Sequence, residues 1–364
     1  MKGKSVLFIL EDGRFSGQHS YLVSLCKRLN KSSASVLIPI QDSEESAEKY
    51  KKSEINLLQI DIKRPSIKRN YLVTYIFYFL RDVLKIRKII KTNKYDFVYS
   101  AGGAWQIKGI LAGILTRKKI IWHLNDSNTL LIIKIIFFFL SNFVDAVVYA
   151  SKKTKKYYEN FSSCNKSKII SSPIEDKFFL SENKNFSQEN LKVVSVANIN
   201  PVKNIEMLID IASHFNDIEF DIIGPVYDSQ KKYFAKLEKK IKDMNLVNFN
   251  FLGKKYDINS ALMDYDIYIC SSYFESSPIS VREAMAMGLP ILSTDVGDVK
   301  ELLSEGGGLI CNNLEEFVLN LGKFLNGQLD LNSMSYKSSN FAKNNFSGTK
   351  CAEKHIELFN TISL

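Results

Sequence analysis

Residues 271–303 contain the clearest indication of the fold and read SSYFESSPISVREAMAMGLPILSTDVGDVKELL. This segment follows a strand-like apolar run at Ile267–Cys270. Its own pattern predicts a helix at Val281–Met287, a strand at Ile291–Ser293 and a second helix at Val299–Leu303. Short apolar runs that alternate with amphipathic segments are typical of parallel α/β units. The segment therefore predicts part of a doubly wound sheet.

The same alternation continues on both sides of an interruption. Residues 181–190 (SENKNFSQEN) are polar and have the composition of a linker. A chain of 364 residues is expected to form two domains of ordinary size. We predict an α/β protein with two Rossmann-like domains, at 1–180 and 191–340, whose ligand lies in a cleft between them. A C-terminal helix at 341–364 is expected to pack back on the first domain.

The individual elements follow from the same pattern. The other predicted strands are Ser5–Leu10, Ser35–Ile38, Phe97–Ser100, Lys119–His123, Ala146–Tyr149, Ile169–Ile170, Val193–Val196, Phe220–Ile223 and Phe249–Leu252. The other predicted helices are Gln18–Leu29, Tyr75–Ile90, Gln106–Leu115, Asn128–Phe139, Lys152–Asn160, Ile205–Ala212 and Gln230–Met244.

Composition indicates a cytoplasmic protein that is not integral to a membrane. The five cysteines are scattered, as expected for ordinary thiols in a reducing compartment. The apolar start of the chain stops at Glu11, which favours a core strand over a signal peptide. The stretch Leu130–Leu140 is shorter than the roughly 20 residues that a spanning helix needs, and Lys134 interrupts it.

The charge is distributed unevenly along the chain. Residues 1–180 contain 31 Lys and Arg against 15 Asp and Glu, whereas residues 181–364 contain 18 against 24. A basic half suggests contact with a polyanion. Because basic residues follow the apolar run Tyr75–Leu80, we expect an anionic membrane surface and no nucleic acid. A core helix with one solvated basic face explains these residues equally well. The basic residues that follow the apolar run are Arg81, Lys85, Arg87, Lys88 and Lys91.

Two carboxylates are the first candidate site residues. Glu275 is predicted to lie on a loop directly beyond a strand, where binding residues concentrate. Glu283 is eight residues further on, in the following helix. If Ser280 is the N-cap of that helix, Glu283 completes a capping box, which is a purely structural role. The same helix N-terminus offers unpaired N–H groups to a phosphate.

This region resembles a known family. The spacing of Glu275 and Glu283, followed by AMAMGLP (284–290) and DVGDVKE (295–301), resembles the donor-site motif of family-4 retaining glycosyltransferases, glycosyl transferases group 1, which have the GT-B fold. Matching segments occur in order over most of the chain. The resemblance implies that Glu275 lies by the transferred sugar and that Glu283 binds the ribose hydroxyls. The remaining donor-binding residues implied in this domain are Ser276, Ser277, Pro278, Ile279, Gly253 and Lys254.

A second segment, VANINPVKNIEMLI (196–209), resembles the part of the family that cradles the donor diphosphate. Lys203 matches the family lysine, which implies a catalytic role in stabilising the leaving group. Asn198 stands where the family has arginine, so one positive charge is missing there. Without the resemblance of the surrounding segment, Lys203 would be interpreted as a solvated lysine at a helix start.

Two further matches lie in the first half of the chain. Gly13 and Gly17, in EDGRFSGQHS (11–20), resemble the family's glycine loop, although glycines are also common in tight turns. His123, at the end of a predicted strand, matches a family histidine near the reacting centre and is the third predicted catalytic residue. A lone histidine at a strand end is more often structural.

The resemblance implies a retaining, metal-independent glycosyltransferase with no cofactor. It would move a sugar from a nucleotide sugar, with UDP as the first expectation, to a glycan acceptor. We expect a lipid-linked acceptor in surface-polysaccharide assembly. Asp264 and Asp266 resemble a metal-binding pair, but they precede a predicted buried strand and are interpreted as turn residues. An epimerase or phosphorylase of the same fold remains open, as does a non-catalytic nucleotide-sugar sensor, which Asn198 favours.

Overall fold

We describe a computed structural model of the protein. It covers residues 4–29, 34–64, 69–180, 182, 184, 186, 191–275 and 277–363. These residues form two compact units: one runs to Pro173 and resumes at Gly348, and the other is Ile174–Ser347. The first unit thus ends before residue 180, the boundary predicted from the sequence. The predicted linker at 181–190 lies mostly outside the described residues.

The first unit is built on one parallel sheet. Its strands are β1 (Val6–Ile9), β2 (Ala34–Pro39), β3 (Asn56–Ile60), β4 (Phe97–Ala101), β5 (Lys119–Leu124), β6 (Ala146–Tyr149) and β7 (Ser167–Ile169). Their order is β3-β2-β1-β4-β5-β6-β7. The order reverses next to β1, which is the mark of a doubly wound sheet. All four residues of β1 are buried, as expected for a strand covered on both faces.

Helices cover both faces of this sheet. Phe8 of β1 packs in one hydrophobic cluster with Tyr21 and Leu25, whereas Leu7 packs in another with Val83. The helices between the strands are α1 (Gly17–Arg28), α2 (Glu44–Lys52), α3 (Arg69–Thr92), α4 (Ile107–Thr116), α5 (Leu131–Ser141) and α6 (Lys152–Tyr158). No helix in the described part of the chain is both long enough and apolar enough to cross a bilayer.

The second unit repeats the pattern with six parallel strands. They are β8 (Lys192–Val196), β9 (Glu219–Ile223), β10 (Phe249–Gly253), β11 (Ile267–Cys270), β12 (Ile291–Ser293) and β13 (Gly308–Ile310). Their order is β10-β9-β8-β11-β12-β13, which reverses between β8 and β11. The predicted α/β fold with two doubly wound Rossmann-like domains is confirmed.

The helices of the second unit are α7 (Ile205–Ala212), α8 (Lys231–Asp243), α9 (Ile258–Leu262), α10 (Ile279–Ala286), α11 (Val299–Leu302), α12 (Leu314–Leu325) and α13 (Leu331–Phe346). After α13 the chain enters α14 (Gly348–Thr361), which belongs to the first unit. Cys351, Leu358 and Phe359 of α14 are buried in the same cluster as Phe8 and Tyr21.

Candidate active site

Lys203 and Glu275 meet where the order of the second sheet reverses. Lys203 follows β8 and Glu275 follows β11, and these two strands are hydrogen-bonded neighbours. The ammonium group of Lys203 forms an ion pair with Oε1 of Glu275, with 23% and 17% of the two side chains exposed. In doubly wound sheets, ligands bind beyond the carboxyl ends of the strands at this switch point. The structure therefore brings together two of the three predicted catalytic residues.

Lys203 does not occupy the solvated helix start that was its alternative. It ends a short 3₁₀ turn, Pro201–Lys203, which Asn200 caps through a hydrogen bond of 3.0 Å from the amide N–H of Val202 to its Oδ1. Asn204 follows in the left-handed region, with φ of 50°, and α7 then begins. The turn holds Lys203 beside the loop after β11.

Hydroxyl groups fix the loop after β11. Ser272 Oγ donates to Glu275 Oε1 at 3.0 Å, and Thr294 Oγ1 donates to the carbonyl oxygen of Ser272 at 2.7 Å. Ser271 Oγ donates to the carbonyl oxygen of Lys203 at 2.9 Å. The two strand ends that contribute Lys203 and Glu275 are thus joined by hydrogen bonds as well as by the ion pair.

A pocket of about 330 Å³ opens at the ends of β8, β9 and β10. Three lysines give it a positive lining, which suits an anion. Gly224 lies at the base of the β9 end, where a Cβ would come within 1.9 Å of the carbonyl oxygen of Ala197. The lining includes Asn198, Lys203, Tyr227, Lys254 and Lys255.

Asn198, Gly253 and Lys254 all lie at this pocket or at its strand ends. Asn198 is exposed, and its backbone carbonyl oxygen accepts from Asn200 Nδ2 at 3.3 Å. Gly253 ends β10 with φ of +67°, a conformation that favours glycine. The ammonium group of Lys254 lies 4.8 Å from the ring centroid of Tyr256. Lys254 and Lys255 add positive charge to the pocket that lacks the family arginine.

Glu283 does not form the capping box that was its structural alternative. Helix α10 begins at Ile279 with Pro278 as N-cap, so Ser280 lies inside the first turn and accepts a hydrogen bond from the hydroxyl of Tyr268 at 2.9 Å. Burial, with a smaller contribution from Glu175, raises the pKa of Glu283 to about 7, while Lys177 acts in the opposite direction. Glu283 is therefore a protonatable carboxyl close to neutral pH.

A buried ion pair anchors the loop between the two glutamates. Arg282 Nη2 lies 2.5 Å from Asp298 Oδ2, with 2% and 5% of these side chains exposed. Ser277 Oγ donates to Asp298 Oδ2 at 2.9 Å and accepts from Arg282. Sequence reasoning missed Arg282, although a lone arginine within an apolar helix was a visible signal. Ile279, the first residue of α10, is 42% exposed, and Ser276 lies outside the described residues.

Asp298 binds an arginine with its side chain and does not use it to cap a helix. It does occupy the N-cap position of α11, but its side chain makes no capping hydrogen bond. Its carboxylate binds Arg282 and Ser277 instead. Asp266 Oδ2 accepts from the amide N–H of Lys192 at 2.8 Å, so this carboxylate binds the backbone at the start of β8. No group of three or more His, Cys, Asp or Glu within the described ranges is arranged to hold a metal ion.

The two glycines of the predicted glycine loop lie in the first unit. Gly13 is required by close packing within that unit, since a Cβ there would come within 2.3 Å of the carbonyl oxygen of Gln41. Ser46 Oγ donates to the carbonyl oxygen of Gly13 at 2.6 Å. Gly17 is the first residue of α1, with Ser16 at the N-cap position. A contact of either glycine with a donor stays a prediction.

His123 lies inside the first unit. Its side chain is fully buried, and its ring centroid lies 4.9 Å from that of Tyr21 and 5.9 Å from that of Tyr99. Neither ring nitrogen has a hydrogen-bond partner among the described residues. Burial, with a smaller contribution from the neighbouring His355, lowers the pKa of His123 to about 3. The ring is therefore neutral at pH 7, and its catalytic role stays a prediction.

Asp126 lies three residues after His123 and binds a tyrosine of α6. Its Oδ1 accepts from the hydroxyl of Tyr158 at 2.8 Å. Helix α5 begins at Leu131 with Leu130 as N-cap, so Asp126 does not cap it. The chain also starts α5 three residues after the predicted Asn128.

Two doubly wound Rossmann-like domains, the second with a lysine-lined pocket beyond its strand ends, define the GT-B class of fold. Residues 176–341 match the family model of glycosyl transferases group 1. The resemblance predicted from Glu275 and Glu283 is confirmed by this match, which falls within the second unit.

Similar proteins cover most of the chain. An uncharacterized glycosyltransferase of Haemophilus influenzae is 26% identical over 266 residues, which are 70% of this chain and 73% of that protein. The O-antigen biosynthesis glycosyltransferase WbnH of Escherichia coli is 28% identical over 244 residues, 64% of this chain and 68% of WbnH. The crystal structure of Anabaena HepE in complex with UDP superposes with a TM-score of 0.83 at 17% identity, over 98% of this chain and 100% of HepE. HepE has also been solved with UDP-glucose.

Proposed function

We propose that the protein is a retaining glycosyltransferase that moves a sugar from a UDP-sugar to a glycan acceptor. The observation that carries the proposal is the ion pair of Lys203 and Glu275 at the switch point of the second sheet. It lies beside a pocket lined by further lysines, in the part of the chain that matches the family. The complexes of HepE with UDP and UDP-glucose support the choice of UDP.

The pocket suits a diphosphate leaving group. Lys203, Lys254 and Lys255 supply positive charge where negative charge develops as the bond to the sugar breaks. In our proposal these lysines replace a metal ion, so that no cofactor is needed. Glu283, in its ionised form, would accept hydrogen bonds from both hydroxyls of the ribose.

The surroundings of Glu275 favour retention without a covalent sugar–enzyme intermediate. Glu275 Oε1 is already bound by Lys203 and by Ser272, which suits a carboxylate that orients the sugar more than one that attacks it. A double-displacement mechanism also needs two carboxyl groups about 5 Å apart, one on either side of the anomeric carbon. We propose that the acceptor oxygen attacks on the face from which the diphosphate departs. The carbon–diphosphate bond breaks, and the acceptor's proton passes to a diphosphate oxygen.

The acceptor is proposed to be a lipid-linked glycan of surface-polysaccharide assembly, bound by the first unit. Residues 1–180 carry a clear excess of basic residues, which suits a phosphate-containing lipid at an anionic cytoplasmic membrane surface. The name of the relative WbnH, which refers to O-antigen biosynthesis, agrees with this class of acceptor. Two of the basic residues predicted to face the membrane, Arg81 and Lys85, form ion pairs with Asp61.

A donor screen tests the proposal. The purified protein is incubated with a panel of nucleotide sugars, and free nucleoside diphosphate and sugar products are measured. We expect UDP release from one UDP-sugar, accelerated by a glycan acceptor. Release coupled to an altered free sugar would indicate an epimerase, and donor binding without any release would indicate a sensor. Either result would overturn the proposal.

A further inference from the structure

Helix α5 of the first unit is apolar on both its inner and its outer side. Its inner residues Ile133 and Phe137 are buried in a hydrophobic cluster with Trp122. The single charged residue of the helix, Lys134, places its ammonium group 3.6 Å from the ring centroid of Tyr157. The outer side exposes large apolar side chains at helical spacing: Leu131, Ile132, Ile135, Phe138 and Phe139, flanked by Leu130 and Phe143. A helix that is apolar all round is normally covered by protein or by lipid.

Helix α3 has a second exposed apolar stripe. Its Phe79 packs in the same cluster as Ile110 of α4 and Ile133 of α5, so α3, α4 and α5 cover one face of the first sheet. The stripe consists of Val73, Ile76, Phe77, Leu80 and Leu84, with Phe77 79% exposed. We call the exposed apolar side chains of α3 and α5 the outer apolar surface. Monomeric proteins rarely leave so many large apolar residues together in water.

Basic residues border the outer apolar surface. Helix α6 packs against α5 through the rings of Tyr158 and Phe137, whose centroids are 5.2 Å apart. The sequence of α6 contains four lysines and no acidic residue. Helix α3 continues into exposed Lys88 and Lys91. The four helices α3, α4, α5 and α6 together contain one acidic residue, Asp82, whose side chain is fully buried against Lys108, and the segments between them add Asp96, Asp126 and Asp145. The surface is therefore apolar with a positive border.

We propose that the outer apolar surface inserts into the interfacial region of an anionic lipid bilayer, with α5 lying in the membrane plane. Eleven residues make a helix about 16 Å long, well short of the roughly 30 Å hydrocarbon core. Apolar residues in the acyl boundary and lysines at the head groups are the arrangement of an interfacial helix. The inference rests on the proposed lipid-linked acceptor and deepens it, because it assigns membrane contact to particular side chains.

Vesicle binding of the full-length protein tests the inference. The vesicles contain phosphatidylcholine alone or with about 30% phosphatidylglycerol, an anionic fraction that gives a negative surface potential. We expect Leu131→Ser with Phe139→Ser to weaken binding to the anionic vesicles by roughly tenfold or more, since two large apolar contacts are lost. Phe77→Ser with Leu80→Ser should act in the same direction.

A matched control uses exposed apolar residues of the second unit. Val247 and Leu319 are 92% and 58% exposed and lie outside the outer apolar surface. The double variant Val247→Ser and Leu319→Ser should bind vesicles as the wild type does. All variants should keep the same thermal shift with UDP, which shows that they are folded. That readout also separates the two ideas, because UDP binding tests the proposed function and vesicle binding tests the insertion.

Insertion differs from electrostatic adsorption in two measurable ways. A tryptophan at position 139 (Phe139→Trp) should be quenched by brominated lipid, whereas Leu319→Trp should not be. Binding should fall only partly at about 0.5 M salt, where adsorption of charges alone is screened. Unchanged vesicle binding by the α5 variant, or absence of quenching at position 139, would overturn the proposal. If the wild-type protein does not bind vesicles but dimerises through α5, a second copy of the chain covers the outer apolar surface instead.

Discussion

Lys203 and Glu275 follow two neighbouring strands of the second sheet and form an ion pair where the strand order reverses. The lysine is 72 positions before the glutamate in the chain, so the fold alone brings them together. Each is held from a second direction, the backbone of Lys203 by Ser271 and the carboxylate of Glu275 by Ser272. The pair is thus a fixed feature of the site before a ligand arrives.

Lys203→Ala should reduce sugar transfer much more than stability. Removing a charge that stabilises the leaving group is expected to lower kcat by roughly 100-fold. The lost, partly exposed ion pair should cost about 1 kcal/mol of unfolding free energy. Lys203→Arg should retain part of the activity because it keeps the charge. Lys300→Ala, which removes an exposed lysine outside the pocket, is the matched control, and equal kinetics in the two alanine variants would refute the role of Lys203.

Binding of uridine should become tighter as the pH rises through about 7, the raised pKa of Glu283. In the proposed role the ionised carboxylate would accept from both ribose hydroxyls, whereas a protonated carboxyl is a weaker acceptor. Uridine is the probe because it has no phosphate that titrates in this range. Calorimetry from pH 6 to pH 8, about one unit either side of that pKa, should show the trend in the wild type and not in Glu283→Gln. A pH-independent wild type would contradict the assignment.

The same raised pKa affects the stability of the ligand-free protein. The folded state binds the Glu283 proton more tightly than the unfolded state does, so stability is lost as the pH rises from the ordinary carboxyl range through about 7. Glu283→Gln should remove this loss. A Tm that falls equally in both proteins over this interval would show that other groups cause it.

Breaking the buried pair of Arg282 and Asp298 should destabilise the second unit. Asp298→Ala leaves a buried guanidinium without its carboxylate, which costs about 3–5 kcal/mol, and urea unfolding measures it. Ser277 loses the same partner, so KM for the donor should rise. The double variant Arg282→Met and Asp298→Leu should recover much of the stability but not the donor KM. Recovery of both would show that the pair does not position the donor loop.

The buried histidines should make the first unit sensitive to acid. Burial lowers the pKa of His123 to about 3 and that of His355 to about 4. The unfolded chain therefore binds more protons below pH 6.5, and stability falls as the pH falls, by up to about 1.4 kcal/mol per pH unit for each histidine. His123→Phe should flatten the fall of Tm between pH 7 and pH 5 relative to exposed His214→Phe. Sugar transfer that survives in His123→Phe would exclude His123 as a catalytic residue.

Periodicity predicted the central strands of both sheets because buried parallel strands are continuous apolar runs. It missed β3 and β13, each of which lies at one edge of its sheet, although it predicted β7 and β10 at the opposite edges. Residues Asn56 and Gln59 of β3 are exposed and polar, and β13 has only three residues, the first of them glycine. An edge strand has a neighbouring strand on one side only and is less buried. Fewer of its residues therefore need to be apolar, so the apolar run in the sequence is weaker.

The local sequence also did not predict the role of a residue where that role depends on a partner from elsewhere in the chain. Asp298 looks like a helix cap, but Arg282, 16 positions earlier, takes its carboxylate. Ser280 looks like an N-cap, but α10 begins one residue before it. Lys203 and Glu275 were found because each follows a strand end, whereas the burial of His123 depends on Tyr21, Tyr99 and α14 packing around it.

Sugar transfer by the wild type, Lys203→Ala and Lys300→Ala tests directly whether the pair of Lys203 and Glu275 serves transfer from a UDP-sugar. The measurement is the release of UDP together with the incorporation of labelled sugar into a lipid-linked glycan acceptor. We expect equimolar release and incorporation by the wild type and by Lys300→Ala, and a loss of roughly 100-fold in Lys203→Ala. Incorporation by Lys203→Ala at the wild-type rate, or binding of UDP-sugars without any incorporation by the wild type, would contradict this role of the pair.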